Sequence, residues 1–154
     1  MVVTFGKAAD LPAEFVTLLL PNANERVGHL EKIQSEPRVR AYRYMREGEE
    51  YWFFFSEPGC AWRAGDWASD AYFLYWSYNR REEKRTLIFC GGSRADLQGR
   101  RIVAGDAMLA SVEVTEVGGK AEMFASDPQH VHIESTMDLL DPKLRANDPR
   151  QIGV

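Results

Sequence analysis

Hydrophobic positions along this chain gather in short runs that are apolar on both faces of an extended backbone. The clearest are Tyr51-Trp52-Phe53-Phe54-Phe55-Ser56, Asp70-Ala71-Tyr72-Phe73-Leu74-Tyr75-Trp76-Ser77-Tyr78 and Thr86-Leu87-Ile88-Phe89-Cys90. A strand with one wet face alternates apolar and polar residues, whereas a strand covered on both sides reads as a continuous apolar run. The runs therefore predict a sheet whose outer face something else covers. That in turn suggests part of a larger protein rather than a self-sufficient catalyst.

Turn residues separate the runs at roughly 8–12-residue intervals, the spacing of a sandwich or barrel. Strands are predicted over 14–20, 27–34, 38–45, 50–56, 70–78, 85–90, 94–97, 100–104, 109–117, 120–125 and 130–135. Arg46-Glu47-Gly48-Glu49 predicts a hairpin turn with Gly48 at positive φ. Gln98-Gly99 and Gly118-Gly119 predict two more tight turns, and Gly91-Gly92 a bulge or bend. Pro58-Gly59 opens a loop carrying Trp62 and Trp67, and 79–85 is a charged, solvated connection. No stretch shows helical periodicity. The expected fold is all-β, an antiparallel β-sandwich of roughly ten strands over 1–136. Residues 137–154 are expected to be a flexible tail with one helical turn at most.

Composition adds limits more than content. The 154 residues are 45% hydrophobic and 27% charged, as expected of one globular domain. A net charge of -4 argues against a general nucleic-acid surface, and no apolar run is long enough for a membrane-spanning helix. The N-terminus has no signal-peptide pattern, so an exported parent, periplasmic or secreted, would carry its signal upstream. Cys60 and Cys90 fit no zinc or redox spacing, and a chain of this size needs no disulfide between them.

Three constellations invite chemistry. On a strand, His130, His132 and Glu134 share one face while Val131 and Ile133 enter the core, so two imidazoles and a carboxylate are candidate metal ligands. A polar outer face on a terminal strand explains the same pattern without metal. Trp62 and Trp67, with Arg63 and Asp66, form a candidate sugar platform, rings stacking on pyranose faces and Arg63 pairing with an acidic group. Closure of one sandwich end by two tryptophans is the more common use. Arg40, with its neighbours Arg38, Arg43 and Arg46 and with Tyr42 and Tyr44, makes a basic aromatic stripe suited to an acidic polysaccharide, or a charged edge strand that resists aggregation. Motifs for nucleophilic catalysis and phosphate binding are absent, so no catalytic residue and no cofactor are expected.

Several segments in order resemble the C-terminal β-rich region of heparinase II/III-like polysaccharide lyases. They are Leu11-Pro12-Ala13-Glu14-Phe15-Val16-Thr17-Leu18-Leu19-Leu20-Pro21, Val39-Arg40-Ala41-Tyr42 and Glu50-Tyr51-Trp52-Phe53-Phe54-Phe55-Ser56, then Trp62-Arg63-Ala64-Gly65-Asp66-Trp67 and Ser69-Asp70-Ala71-Tyr72-Phe73-Leu74-Tyr75. Phe89-Cys90-Gly91-Gly92-Ser93 and Leu97-Gln98-Gly99-Arg100-Arg101-Ile102 complete the series, which spans about 4–133. The resemblance implies a parent with a helical catalytic domain followed by sandwich layers, cleaving uronate-containing chains by β-elimination. It implies no catalytic residue here, because the family's catalytic Tyr and His match nothing in this chain. His130 and His132 do not match the family's zinc ligands either. The implied role is a non-catalytic accessory sandwich that stabilises the parent and contacts acidic polysaccharide. Its partner would be the parent's helical domain, or a second copy through an apolar sheet face. A free-standing carbohydrate-binding module using Trp62, Trp67, Tyr42 and Tyr44 is the alternative.

Overall fold

The computed structural model describes residues 28–33 and 35–133. The protein is all-β, with ten antiparallel strands in one sheet and no α-helix among the described residues. They are β1 His29–Ile33, β2 Val39–Arg46, β3 Glu49–Ser56, β4 Trp62–Ala64, β5 Trp67–Ser69, β6 Phe73–Asn79, β7 Lys84–Leu97, β8 Arg100–Val117, β9 Lys120–Ala125 and β10 Val131–Ile133. The strand expected at 14–20 and the tail at 137–154 lie outside the described residues.

The turns form where small residues permit them. Gly48 takes φ 78 in the β2–β3 hairpin, and Gly99 takes φ 77 between β7 and β8. Two long strands organise the rest. Residues 84–90 of β7 pair with β6 on one side and β8 on the other, while Ala95, Asp96 and Leu97 pair with β5. The β7–β8 hairpin therefore belongs to two layers. The larger runs β1-β2-β3-β6-β7-β8-β9, and the smaller is β4-β5 with the far ends of β7 and β8 plus β10.

The bend between the layers falls at Gly91-Gly92, where the β7–β8 register shifts between Gly92 and Arg94. Gly91 has φ 63, and a Cβ there would sit 2.1 Å from the Tyr72 ring. Asp70 ties the bend down. Its Oδ1 accepts from the backbone N–H groups of Ser93 at 2.8 Å and Arg94 at 2.9 Å, and its Oδ2 accepts from the Ser93 hydroxyl at 2.6 Å. Burial opposes ionisation of Asp70, but these hydrogen bonds outweigh it and hold the carboxyl below its ordinary pKa.

A seam joins the layers on the other side. Ser35 bridges Ala64, the Glu36 N–H donates to the Arg63 carbonyl, and the Arg63 N–H donates to the Glu36 carboxylate. The sheet thus nearly closes on itself around one core. At its centre Phe54 is fully buried, stacked on Trp62 at 5.2 Å and on Trp52 at 6.1 Å, with Trp67 tilted against it at 5.7 Å. Trp67 in turn packs on Trp76 at 6.5 Å, so all four tryptophans of the chain meet in one cluster. Each well-buried ring of this size contributes on the order of 2–3 kcal/mol of hydrophobic stabilisation.

Three expectations are corrected. The segment expected as a tryptophan-bearing loop folds as the β4–β5 hairpin, turning at Gly65 with φ 56. The paired runs 85–90 with 94–97, and 100–104 with 109–117, are single strands continuing through the bend. The strand expected from Asp70 starts at Phe73, because residues 70–72 hold the bend instead. Both cysteines are free.

Candidate functional site

Strand alternation and register sort the larger layer into rows. On its inner face Ile33, Ala41, Phe54, Leu74, Phe89, Val112 and Ala125 lie in register and meet the smaller layer. The neighbouring inner row, Glu31, Arg43, Trp52, Trp76, Leu87, Val114 and Met123, begins to turn polar. The next inner row is polar at most positions: His29, Met45, Glu50, Tyr78, Arg85, Glu116 and Ala121.

The outer face is aromatic instead. One row reads Lys32, Tyr42, Phe53, Tyr75, Ile88, Glu113 and Phe124, and the next places Arg40, Phe55, Phe73 and Cys90 side by side. Phe53 packs on Tyr75 at 5.4 Å, Phe55 on Phe73 at 5.3 Å and on Tyr42 at 6.5 Å. Phe55 remains 44% exposed. Burial raises the pKa of Tyr75 and of the Cys90 thiol, so neither is an activated nucleophile. Tyr51, by burial and by donating to Glu49 at 2.7 Å, is pushed up to about 12.

The residues expected to bind sugar separate under this geometry. Trp62 and Trp67 are each 2% exposed, and the Trp62 indole donates to the Ala71 carbonyl at 2.7 Å. Their faces are taken by Phe54, so they close the sandwich and present no platform. Tyr42 and Tyr44 lie on the opposite, outer face and are also buried, the Tyr44 hydroxyl accepting from Gly28 N–H at 2.9 Å. Arg40 and Arg63 are exposed, Arg63 on the seam and Arg40 in register with Phe55. Of the expected site, Arg40, in register with Phe55, and the buried Tyr42, packed on its ring, adjoin exposed aromatic surface. What sequence reading missed is Phe55 and Phe73, although the parity of residues 51, 53 and 55 marks one face of β3.

His130 and His132 do not converge either. His130 ends a short 3-10 turn, Pro128–His130, and its Nδ1 lies 2.7 Å from Asp127; His132 Nε2 lies 3.8 Å from Asp106. Glu134 lies outside the described residues, among which no group of three or more His, Cys, Asp or Glu is placed to hold a metal ion.

No protein-family model and no curated protein matches this chain.

Proposed function

We propose that this chain is a non-catalytic accessory β-sandwich of a heparinase II/III-like lyase, acting by contact through its outer face. The observation that supports the reading is the aromatic band of Phe53, Tyr75, Phe55 and Phe73, which is half-buried to exposed, with Phe55 the most open, and has no covering strand among the described residues. Contiguous exposed apolar surface marks an interaction site in a soluble fold. The parent's helical domain is the neighbour that the sequence resemblance supplies. Catalysis is tested by mixing the protein with heparin, alginate or chondroitin and following unsaturated-uronate absorbance; steady turnover overturns the non-catalytic reading. The face is tested with the dye ANS. The native protein binds it and Phe55→Ser/Phe73→Ser binds less, while equal binding by both sinks the outer band as the contact surface.

One observation favours a second reading, a carbohydrate-binding module for acidic chains. Arg40 stands beside the exposed Phe55 and lines, with Lys32, Ser35 and Glu36, an open groove of about 560 Å³. In this reading Arg40→Ala weakens binding of an acidic oligosaccharide, and Trp62→Ala lowers stability rather than affinity.

A further inference from the structure

The larger layer ends at β9, which pairs with β8 and with no other strand among the described residues. Its backbone is set up to pair on the far side as well. The β8–β9 hairpin turns through Gly118 at φ 56 and Gly119 at φ 78, a two-residue turn that leaves Val117 and Lys120 as a hydrogen-bonded pair. At the other end the Ser126 N–H donates to the Ser111 carbonyl at 3.0 Å. Hydrogen-bonded pairs alternate along an antiparallel ladder, so Lys120, Glu122, Phe124 and Ser126 turn their backbone groups toward β8. Ala121, Met123 and Ala125 turn theirs the other way, to an edge that no described strand fills.

The side chains do not guard this edge. Natural sheets blunt their edges with proline, a bulge or an inward-pointing charge. β9 has no proline and no register shift, and its inner-facing residues are Ala121, Met123 and Ala125. Met123 is 41% exposed on the inner face and Phe124 67% exposed on the outer face. Both faces of the edge are therefore apolar at its middle.

From this open ladder we infer that β9 pairs with β9 of a second copy of the chain, antiparallel about a two-fold axis at Met123. Self-complementarity is what names the occupant. An axis perpendicular to the sheet keeps inner face beside inner face, so the outward-turned residues must oppose one another. With the axis at Met123, that residue faces its own counterpart and Ala121 faces Ala125 in both directions. Every outward N–H and C=O of both strands is then met. Glu122 faces Phe124, and Lys120 faces Ser126, so no like charges oppose. Moving the axis one residue, to Glu122, sets two carboxylates against each other. Moving it the other way, to Phe124, carries Ala121 past the end of the strand. The two larger layers become one sheet, and the aromatic band of Phe53, Tyr75, Phe55 and Phe73 takes no part.

The experiment follows the full chain by sedimentation equilibrium up to about 1 mM. The native chain dimerises. Met123→Pro removes an outward N–H and spares the β8 ladder, so it weakens dimerisation by about tenfold or more. Phe55→Ser/Phe73→Ser dimerises like the native chain, which keeps this pairing separate from the contact role above. Under mild oxidation Met123→Cys links into a disulfide dimer, because Cα atoms of a hydrogen-bonded pair lie about 5.5 Å apart. Ala121→Cys, facing Ala125 of the second copy, does not link. A native chain that stays monomeric throughout overturns the assignment and leaves the edge to another occupant. A folded Met123→Pro chain that dimerises with native affinity overturns it, and so does a dimer lost in Phe55→Ser/Phe73→Ser. A disulfide dimer from Ala121→Cys but not from Met123→Cys puts the axis elsewhere and overturns it too.

Discussion

Phe54 and Phe55 are neighbours in sequence with the same side chain, yet one is fully buried and the other is 44% exposed. The contrast extends along their rows. Inside, Phe54 meets Trp62 and Trp67 from the smaller layer; outside, Phe55 has Phe73 and Tyr42 at its flanks. Aromatic content does not decide which face becomes core. The bend that carries β5 and the ends of β7 and β8 across one face decides it.

The largest expected break in this contrast is Phe54→Ala, which empties the centre of the tryptophan cluster. Loss of a central ring destabilises by about 3–5 kcal/mol in chemical denaturation. A loss near that of a surface change would show that the cluster does not carry the core. Next comes the bend. Gly91→Ala forces a methyl into the Tyr72 ring at a positive φ and should lower stability by about 1–3 kcal/mol. Thermal melts of that variant with and without Tyr72→Ala separate the steric part, which the second change relieves, from the backbone part, which it does not.

A smaller, pH-dependent effect comes from Asp70. Its folded-state pKa is depressed, so its contribution is complete above the ordinary carboxylate value of about 4 and is lost as pH falls through the lower folded value. Asp70→Asn should therefore lower stability by about 1 kcal/mol at neutral pH, with the gap to the native protein closing in acid. A gap that stays constant down to acid pH would remove the charged bend tie. The smallest effect belongs to Phe55→Ser, expected within about 0.5 kcal/mol of native stability while ANS binding falls. If that change destabilises as much as Phe54→Ala, the two faces are not different in kind.

Much of this architecture was legible because turns announce themselves. Gly48, Gln98-Gly99 and Gly118-Gly119 sit where the hairpins reverse, and the unbroken aromatic runs foretold a sheet apolar on both sides. The β4–β5 hairpin was not legible. Strands of three residues are too short to display a period, so Trp62 and Trp67 read as loop residues when they are core. Gly91-Gly92 read as a bulge or bend and is one, but the runs 85–90 and 94–97 read as separate strands because a bulge and a terminus have the same composition; only pairing partners on both sides show that β7 continues. The polar inner end was hidden for a different reason. Arg43, Glu50, Arg85 and Glu116 come from four strands and become neighbours only through register. Pattern along the chain reveals faces, and pairing between strands assembles sites.

The shared β7–β8 hairpin has one more consequence. Because its near half is woven into the larger layer and its far half into the smaller, neither layer has a complete set of strands without the other. Partial opening would tear the same two strands from both neighbours at once. The described region should therefore come apart as a single cooperative unit, with the slow amide exchange of β7 residues such as Leu87 and Ala95 governed by one common global event.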